Sequence, residues 1–278
     1  MLRLTKQLQE FIASSSDFKI LYSCGNASPT MRIFILDSSF NPPHLGHLNL
    51  INHALRFNRL ENDSQRLIML LLSVNNADKK TPRPETFANR LEMMYLMVKE
   101  IRNQHPNIGQ INLAVTKHAK FVDKSVSIID YLKSCNCYQN QPLTFLLGFD
   151  TLVRLLDPKY YVPDKLSDSL EDFMNTTNLF CLTRNFDNSS LSIQSNYISE
   201  IKAGKHPHIP CHWSNNILVV DNDDPEFIDI SSSAIRSQIN LGDTAWKLNL
   251  IPQIKDLIIS DNFYHEDQNN IESKNGTA

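Results

Sequence analysis

The sequence lacks long apolar runs, an excess of positive charge and any regular spacing of cysteines. Its longest apolar run, Leu67 to Leu72, is far shorter than the roughly 20 residues of a membrane-spanning helix. The opening residues MLRLTKQLQEF contain no apolar core of the kind that signal peptides carry. The five cysteines follow no disulfide or zinc spacing and suit free thiols in a reducing compartment. We therefore expect no membrane partner and a cytoplasmic or nuclear location.

The overall charge is also informative about partners. A formal net charge of −3 argues against a nucleic-acid partner, which would select for a basic face. With 41% hydrophobic and 21% charged residues, the 278-residue chain has the composition of an ordinary globular protein. It contains no Walker loop and no internal repeat. These features favour a globular enzyme over a nucleic-acid-binding or repeat protein.

The strongest local pattern is the segment from residue 31 to residue 55. The apolar run Met31–Leu36 predicts a buried strand. The segment Asp37–Pro43 ends that strand, because it combines small polar residues with two prolines. A helical face then follows at Leu48, Ile51 and Leu55. The pattern predicts a strand, a tight loop and a helix.

Two histidines stand at the start of this predicted helix. The spacing of His44 and His47 puts both imidazoles on one side of the first turn. The free backbone N–H groups and the positive end of the helix dipole point the same way, which is typical of an anion pocket. The two histidines are therefore candidate phosphate ligands. The alternative is that they are ordinary polar residues at a helix start.

A second pattern, Ile228–Arg236, combines three serines with an arginine one turn later. Serines at the head of a helix cap its free N–H groups and can also bond phosphate oxygens. Arg236 would direct a planar cationic fork at the same place. Taken alone, the pattern also fits a capped helix with a surface arginine.

These two patterns resemble the signatures of a known family. SFNPPHLGH, residues 39–47, resembles the H-x-G-H signature of the nucleotidylyl transferases, and its FNP form is similar to that of the nicotinamide mononucleotide adenylyltransferases. ISSxxIR, which ends at Arg236, resembles the second signature of the same superfamily. The resemblance covers about residues 31–264. One departure is Ser38, where the family usually has glycine.

The resemblance implies an α/β fold with a doubly wound, Rossmann-like parallel sheet. It also implies a set of site residues. As catalytic residues it implies His44, His47 and Arg236. As nucleotide-binding residues it implies Ser39, Phe40, Asn41, Gly46, Lys79, Gly148, Asp150, Ser231, Ser232, Ser233 and Ile235. As acceptor-binding residues it implies Phe121 and Arg184.

Four of these residues also have other interpretations. Lys79 could belong to a solvated lysine pair. Asp150 could be a plain N-cap of the helix expected from Thr151 to Leu156, although the family's aspartate here bonds a ribose hydroxyl or meets the metal. Phe121 could be core, since this chain has no tryptophan in the loop where the family stacks one on the nicotinamide ring. Arg184 could touch phosphate or the nicotinamide carboxamide, or pair with a surface acid.

The remaining segments give the expected domain organisation. Residues 1–30 are interpreted as a helical extension with an apolar stripe at Leu4, Leu8, Phe11 and Ile12. Residues 31–264 form the transferase domain, with a polar, asparagine-rich variable insertion at about residues 185–216. The insertion holds His206, His208, Cys211 and His212, whose spacing fits no standard zinc pattern. We expect no protein metal site and a disordered tail at residues 265–278.

The motifs supply phosphate-binding groups and no activated nucleophile, which fits direct in-line transfer. The resemblance implies that nicotinamide mononucleotide attacks the α-phosphorus of ATP, giving NAD and pyrophosphate. Mg²⁺ would enter with ATP, and no tightly bound organic cofactor is expected. One alternative is another acceptor, such as nicotinic acid mononucleotide. A second is a nucleotide-binding regulatory protein with little transferase activity.

Overall fold

The computed structural model describes residues 2–26, 32–57, 63–74, 86–136, 140–184 and 191–264. Within these ranges, seven strands form one sheet in the order β1-β4-β3-β2-β5-β6-β7. Strands β2 to β7 pair in parallel, and β1 runs antiparallel to β4 at the edge. The strands are β1 (Phe18–Gly25), β2 (Arg32–Asp37), β3 (Arg66–Ser73), β4 (Gln110–Thr116), β5 (Leu143–Gly148), β6 (Thr177–Leu182) and β7 (Ile217–Val220).

Helices cover both faces of this sheet. They are α1 (Leu2–Ala13), α2 (Leu45–Phe57), α3 (Phe87–Gln104), α4 (Phe121–Ser134), α5 (Phe149–Leu155), α6 (Leu166–Thr176), α7 (Leu191–Lys202), α8 (Ser232–Asn240) and α9 (Pro252–Ser260). Phe34 and Ile68 belong to the core on one face, and Ile35 and Met69 to the core on the other. Strand β3 is buried at every position, because both of its faces are covered. The predicted doubly wound α/β fold is therefore confirmed.

The strand order creates a natural ligand crevice. From β2 the chain builds outward through β3 and β4 on one side, and β5, β6 and β7 continue on the other side of β2. The loops that leave β2 and β5 therefore diverge to opposite faces. In open α/β sheets, ligands bind at such a switch point, outside the carboxyl ends of the strands. Both sequence motifs lie at this end of the sheet.

Residues 2–26 form a helix and an edge strand of the main sheet, whereas the sequence predicted a helical extension. Strand β1 pairs with β4 from Phe18↔Thr116 to Gly25↔Gln110. Phe11 is fully buried against the sheet, whereas Ile12, which was expected in the same stripe, is 50% exposed. The sequence predicted only a helical extension here, because the strand that pairs with β1 lies some 90 residues further on.

The expected insertion at residues 185–216 contains part of the fold. Helix α7 and a 3-10 helix at Cys211–Asn215 connect β6 to β7, and Ile201 and Trp213 are buried in the core. The buried face of α7 carries the polar Gln194 beside Tyr197, Ile198 and Ile201, so its apolar spacing is too short to predict a helix from the sequence. Within the described part of the segment, α7 is therefore a crossover helix of the sheet.

Some sequence-based expectations fall on residues that the structure does not describe. Lys79 and the tail from residue 265 lie outside the described ranges. Among the helices that are described, none combines the length and the apolar character needed to cross a membrane.

The packing of the N-terminal helix gives a stability prediction. Phe11→Ala should lower the free energy of unfolding by about 3 kcal/mol or more, because it leaves a cavity where a ring was fully buried. The matched control Ile12→Ala removes a half-exposed side chain and should change that free energy by only about 0.5 kcal/mol. Chemical denaturation followed by tryptophan fluorescence measures both. Equal, small effects would contradict the packing of α1 on the core.

Candidate active site

A crevice of about 370 Å³ lies between the carboxyl ends of β2, β5 and β6 and the start of helices α2 and α8. It brings together most of the residues that the sequence predicts for a nucleotide site. These are Ser39, His44, Gly46, His47, Gly148, Asp150, Arg184, Ser231, Ser232 and Ser233. Residues from the two motifs therefore line one cavity, although they are separated by more than 180 positions in the chain.

The two imidazoles lie against each other at the start of α2. Their ring centroids are 3.8 Å apart, and both side chains are more than nine-tenths buried. The backbone N–H of His44 donates to Nδ1 of His47 over 3.1 Å. On the far side of that ring, Nε2 lies 2.9 Å from the Ser38 hydroxyl. Since Nδ1 accepts a hydrogen bond, the neutral His47 ring carries its proton on Nε2.

Burial keeps both histidines neutral at physiological pH. Burial, with the nearby Arg184 charge as a smaller cause, lowers the pKa of His47 to about 3. The same burial, together with His47 and Arg184, holds the pKa of His44 well below its ordinary value. Without ligand the pair therefore offers neutral hydrogen-bonding groups and no positive charge. An anion in the crevice would raise both pKa values, because it stabilises the protonated form.

The loop between β2 and α2 has an unusual backbone. Phe40 has a φ of 45°, a left-handed conformation that is rare for a bulky residue. Its side chain is fully buried, and its ring centroid lies 5.1 Å from that of His47. Gly46 faces the histidine pair, and a Cβ atom there would lie 3.0 Å from Nδ1 of His44. The packing of this loop therefore fixes the positions of both imidazoles.

Helix α8 holds the loop from the other side. The Ser231 hydroxyl caps α8 by accepting from the Ala234 N–H over 3.1 Å. The Ser232 hydroxyl donates to the carbonyl oxygen of Pro42 over 2.8 Å. Nη1 of Arg236 donates to the carbonyl oxygen of Asn41 over 2.5 Å. The helix that carries the second motif is thus hydrogen-bonded to the loop that carries the first.

Arg236 is not placed as the sequence predicts. Its side chain is only 2% exposed and does not line the crevice. Besides the Asn41 carbonyl, its guanidinium bonds the Ser233 hydroxyl over 3.3 Å. One turn into α8, this position faces the loop of the first motif instead of the cavity. Ile235, expected to bind nucleotide, is fully buried in the hydrophobic core.

Asp150 and Arg184 form the opposite wall of the crevice. Oδ1 of Asp150 lies 3.3 Å from Nη1 of Arg184, and Oδ2 lies 3.3 Å from Nη2 of Arg154. Helix α5 begins at Phe149 with Gly148 as its N-cap, so Asp150 is not the N-cap that one interpretation suggested. A Cβ atom at Gly148 would lie 2.8 Å from Oδ1 of Asp150, so a side chain at that position would require the Asp150 carboxylate to shift.

Several residues of the site were not predicted from the sequence. The fully buried amide of Gln194 on α7 bonds both the backbone N–H and the carbonyl of Arg184 and so fixes that arginine. Asn222 lines the crevice after β7, and its side chain accepts from Asn49 over 3.1 Å. Its position just beyond a parallel strand was the available signal, because ligands gather at such strand ends.

Two other predictions concern residues away from the crevice. Phe121 begins α4 and packs edge-to-face on Phe145, with ring centroids 5.4 Å apart, so the structure does not bring it to the crevice lining. Within the segment at 206–212, His206 pairs with Glu200 and His212 pairs with Glu171. Of the residues described, only His53, Asp223 and Asp224 are grouped closely enough to hold a metal ion, and none of them lines the crevice.

The carboxylates that do line the crevice are already paired. Asp37 bonds the buried ammonium of Lys124 over 2.5 Å, and Asp150 bonds two arginines. The described lining therefore provides no cluster of unpaired carboxylates for a divalent ion. A metal here would be held mainly by phosphate oxygens of a bound nucleotide, which is common for ions that retain most of their water.

Comparison with known families agrees with this geometry. Residues 35–238 match the model of the cytidylyltransferase-like family. This span covers well over half of the chain and includes both motifs. The chain therefore belongs to the cytidylyltransferase-like family and is a nucleotidyltransferase, which confirms the resemblance seen in its sequence.

Two proteins similar to this chain have names that specify an adenylyltransferase. A Schizosaccharomyces pombe protein named "Putative nicotinamide mononucleotide adenylyltransferase" is 34% identical over 221 residues, or 80% of this chain and 81% of the relative. A Flavobacterium johnsoniae protein named "Probable nicotinate-nucleotide adenylyltransferase" is 24% identical over 234 residues, or 84% of this chain and 99% of the relative.

Among solved structures, Plasmodium falciparum nicotinic acid mononucleotide adenylyltransferase in complex with NaAD superposes with a TM-score of 0.55. The sequence identity is 17%, and the match covers 84% of this chain and 97% of the other. At that identity the likeness supports the shared fold alone.

The buried histidine pair gives a prediction about pH. With a pKa of about 3, the His47 imidazole should show no titration between pH 8 and 5 in NMR spectra of the ligand-free protein. Because the unfolded ring ionises near pH ~6.5, the unfolded state binds more protons below that pH. The contribution of His47 to stability is therefore present above pH ~6.5 and falls as the pH drops toward 3. A titration midpoint near 6.5 in the folded protein would contradict this burial.

Proposed function

We propose that this protein is an adenylyltransferase of NAD synthesis that transfers AMP from Mg²⁺-bound ATP to nicotinamide mononucleotide, releasing pyrophosphate. The observation that carries the proposal is the convergence of two helix N-termini and two buried imidazoles on one crevice. Unpaired N–H groups and the positive ends of two helix dipoles favour a multiply charged anion there. A triphosphate is such an anion.

The reaction requires positioning more than covalent catalysis. A phosphate oxygen of the mononucleotide forms a bond to the α-phosphorus, while the bond from that phosphorus to the bridging oxygen of pyrophosphate breaks. No enzyme nucleophile is needed, and Mg²⁺ supplies charge neutralisation on the phosphates. His44 binds the ATP phosphates, and His47, whose two ring nitrogens bond the His44 N–H and the Ser38 hydroxyl, holds these residues in place beside the α-phosphorus. The hydrogen bond from Arg236 to the Asn41 carbonyl keeps the loop before these histidines in place.

The opposite wall suits the nucleoside. Asp150 is a carboxylate in a partly buried position, where it can accept a hydrogen bond from a ribose hydroxyl without losing its arginine partners. Gln194 fixes the backbone of Arg184, and the pairing of Arg184 Nη1 with Asp150 keeps the guanidinium along the same wall. In this proposal the phosphates bind at the starts of α2 and α8, and the sugar binds near α5.

The charge of the wall bears on the choice of acceptor. Arg154 and Arg184, the arginines in the described crevice lining, are both paired with Asp150. Among the described lining residues, a nicotinate carboxylate would therefore meet no unpaired arginine, whereas a neutral carboxamide needs none. The relative with the higher identity is also named for nicotinamide mononucleotide. Both points support nicotinamide mononucleotide as the acceptor.

The activity is tested by pyrophosphate release from Mg²⁺-ATP with and without nicotinamide mononucleotide. We expect release that depends on the acceptor and falls by roughly two to four orders of magnitude in His47→Ala, because His44 and Ser38 both lose the ring that positions them. The matched control is His212→Ala, which removes an exposed imidazole far from the crevice and should retain activity. ATP binding without release for any mononucleotide would instead indicate a regulatory nucleotide-binding protein.

The acceptor is tested by competition between nicotinamide and nicotinic acid mononucleotides in the same assay. We expect the amide to give the higher kcat/KM, by about tenfold or more, because the acid leaves its carboxylate without a paired cation. Arg184→Gln leaves Asp150 paired with Arg154 alone and should not improve use of the acid. A higher kcat/KM for nicotinic acid mononucleotide would reassign the acceptor while leaving the adenylyl transfer in place.

A further inference from the structure

Ser38 stands where the family that the sequence resembles usually has glycine, and in the structure its hydroxyl contacts His47. It follows the last residue of β2 and lines the crevice, half-buried, beside His47. Its backbone N–H donates to the carbonyl oxygen of Leu71 over 3.2 Å. That N–H is therefore engaged within the sheet. At this position, only the side chain can offer a hydrogen to a ligand.

The protons around His47 can be assigned from the hydrogen bonds. Nδ1 of His47 accepts from the backbone N–H of His44, so Nε2 carries the proton of the neutral ring. Nε2 then donates to the Ser38 hydroxyl oxygen over 2.9 Å. A serine hydroxyl has one donor and two acceptor positions. With the oxygen accepting from His47, the hydroxyl hydrogen of Ser38 is left to donate elsewhere.

The direction of that hydrogen follows from the surroundings. In the part of the chain that the structure describes, the Ser38 side chain makes one hydrogen bond, the one to His47. Its other exposed side is the crevice, where the proposed triphosphate binds. Nε2 of His47 is covered by Ser38, so the imidazole cannot reach a phosphate without breaking this bond. The two hydrogen bonds, from the His44 N–H to His47 and from His47 to Ser38, therefore form a chain that ends at the Ser38 hydroxyl.

We propose that Ser38 is a further catalytic residue, whose hydroxyl donates to a non-bridging oxygen of the α-phosphate while His47 orients it. This inference rests on the proposed adenylyl transfer and deepens it. No proton is transferred. The hydrogen bond strengthens as negative charge accumulates on the phosphoryl oxygens, and His47 acts on the reaction through Ser38.

The principal test compares three substitutions by turnover with Mg²⁺-ATP and nicotinamide mononucleotide. Ser38→Ala and Ser38→Gly should lower kcat by about 10- to 100-fold, the effect of losing one hydrogen bond to a charged group. Ser38→Thr keeps the hydroxyl and should stay within about threefold of the wild type. Unchanged turnover in Ser38→Ala, or faster turnover in Ser38→Gly, would overturn the proposal, since a serine that merely shields His47 predicts that gain.

A second test measures the contact between Ser38 and a phosphate by binding alone, without the transfer reaction. Calorimetry with AMP and with adenosine compares ligands that differ by the phosphate. Ser38→Ala should weaken AMP binding several-fold and leave adenosine binding unchanged. Equal weakening of both ligands would point to a structural effect and contradict the contact. If the wild type releases no pyrophosphate but this AMP-specific loss is seen, the proposed transferase fails and the Ser38 contact stands.

The coupling to His47 is tested by a double-mutant cycle on AMP affinity. Ser38→Ala should weaken AMP binding less in a His47→Ala background than in the wild type, because the hydroxyl is no longer oriented. Additive effects would show that the two side chains act separately and would contradict the orienting role of His47.

Discussion

The site depends on the attachment of the loop after β2 to helix α8. Two carbonyl oxygens of that loop, at Asn41 and Pro42, accept from Arg236 and Ser232, nearly 200 residues later in the chain. The arginine is almost completely buried, and its guanidinium donates to the Asn41 carbonyl and the Ser233 hydroxyl, which stabilise its charge. Removing its side chain would break a hydrogen bond made by a charged group, at a cost of about 1.5–3 kcal/mol. The histidines of the first motif and the serines of the second can face one ligand because this attachment holds.

Much of the fold could be predicted from local sequence, because a strand buried on both faces has a nearly continuous apolar pattern, as in Arg66–Ser73. What local sequence could not supply was pairing. Strand β1 is only partly buried, and its assignment depends on β4. Helix α7 was hidden because most of its residues are polar and only one side packs on the core. Both elements are defined by distant neighbours, which periodicity does not reveal.

The candidate site, like the fold, could be predicted only in part from the sequence. The motifs identified which residues approach one another, since ten of the predicted residues line one crevice. They did not reveal hydrogen-bond partners or charge states. Arg236 was expected to bind phosphate, but it bonds a backbone carbonyl instead. The histidines were expected to bind phosphate, and the motif did not reveal that burial keeps both imidazoles neutral in the ligand-free protein. Ser38 was noticed as a departure from a family pattern, and its bond to His47 became visible only in three dimensions.

The most direct test of this account is a crystal structure of the protein with Mg²⁺ and a non-hydrolysable ATP analogue. The account predicts the α-phosphate at hydrogen-bond distance, about 3 Å, from the Ser38 hydroxyl, with the ribose near Asp150 and the Arg236–Asn41 bond intact. A triphosphate bound outside the crevice, or inside it but beyond reach of Ser38 and both histidines, would contradict the convergence of the two motifs on one nucleotide.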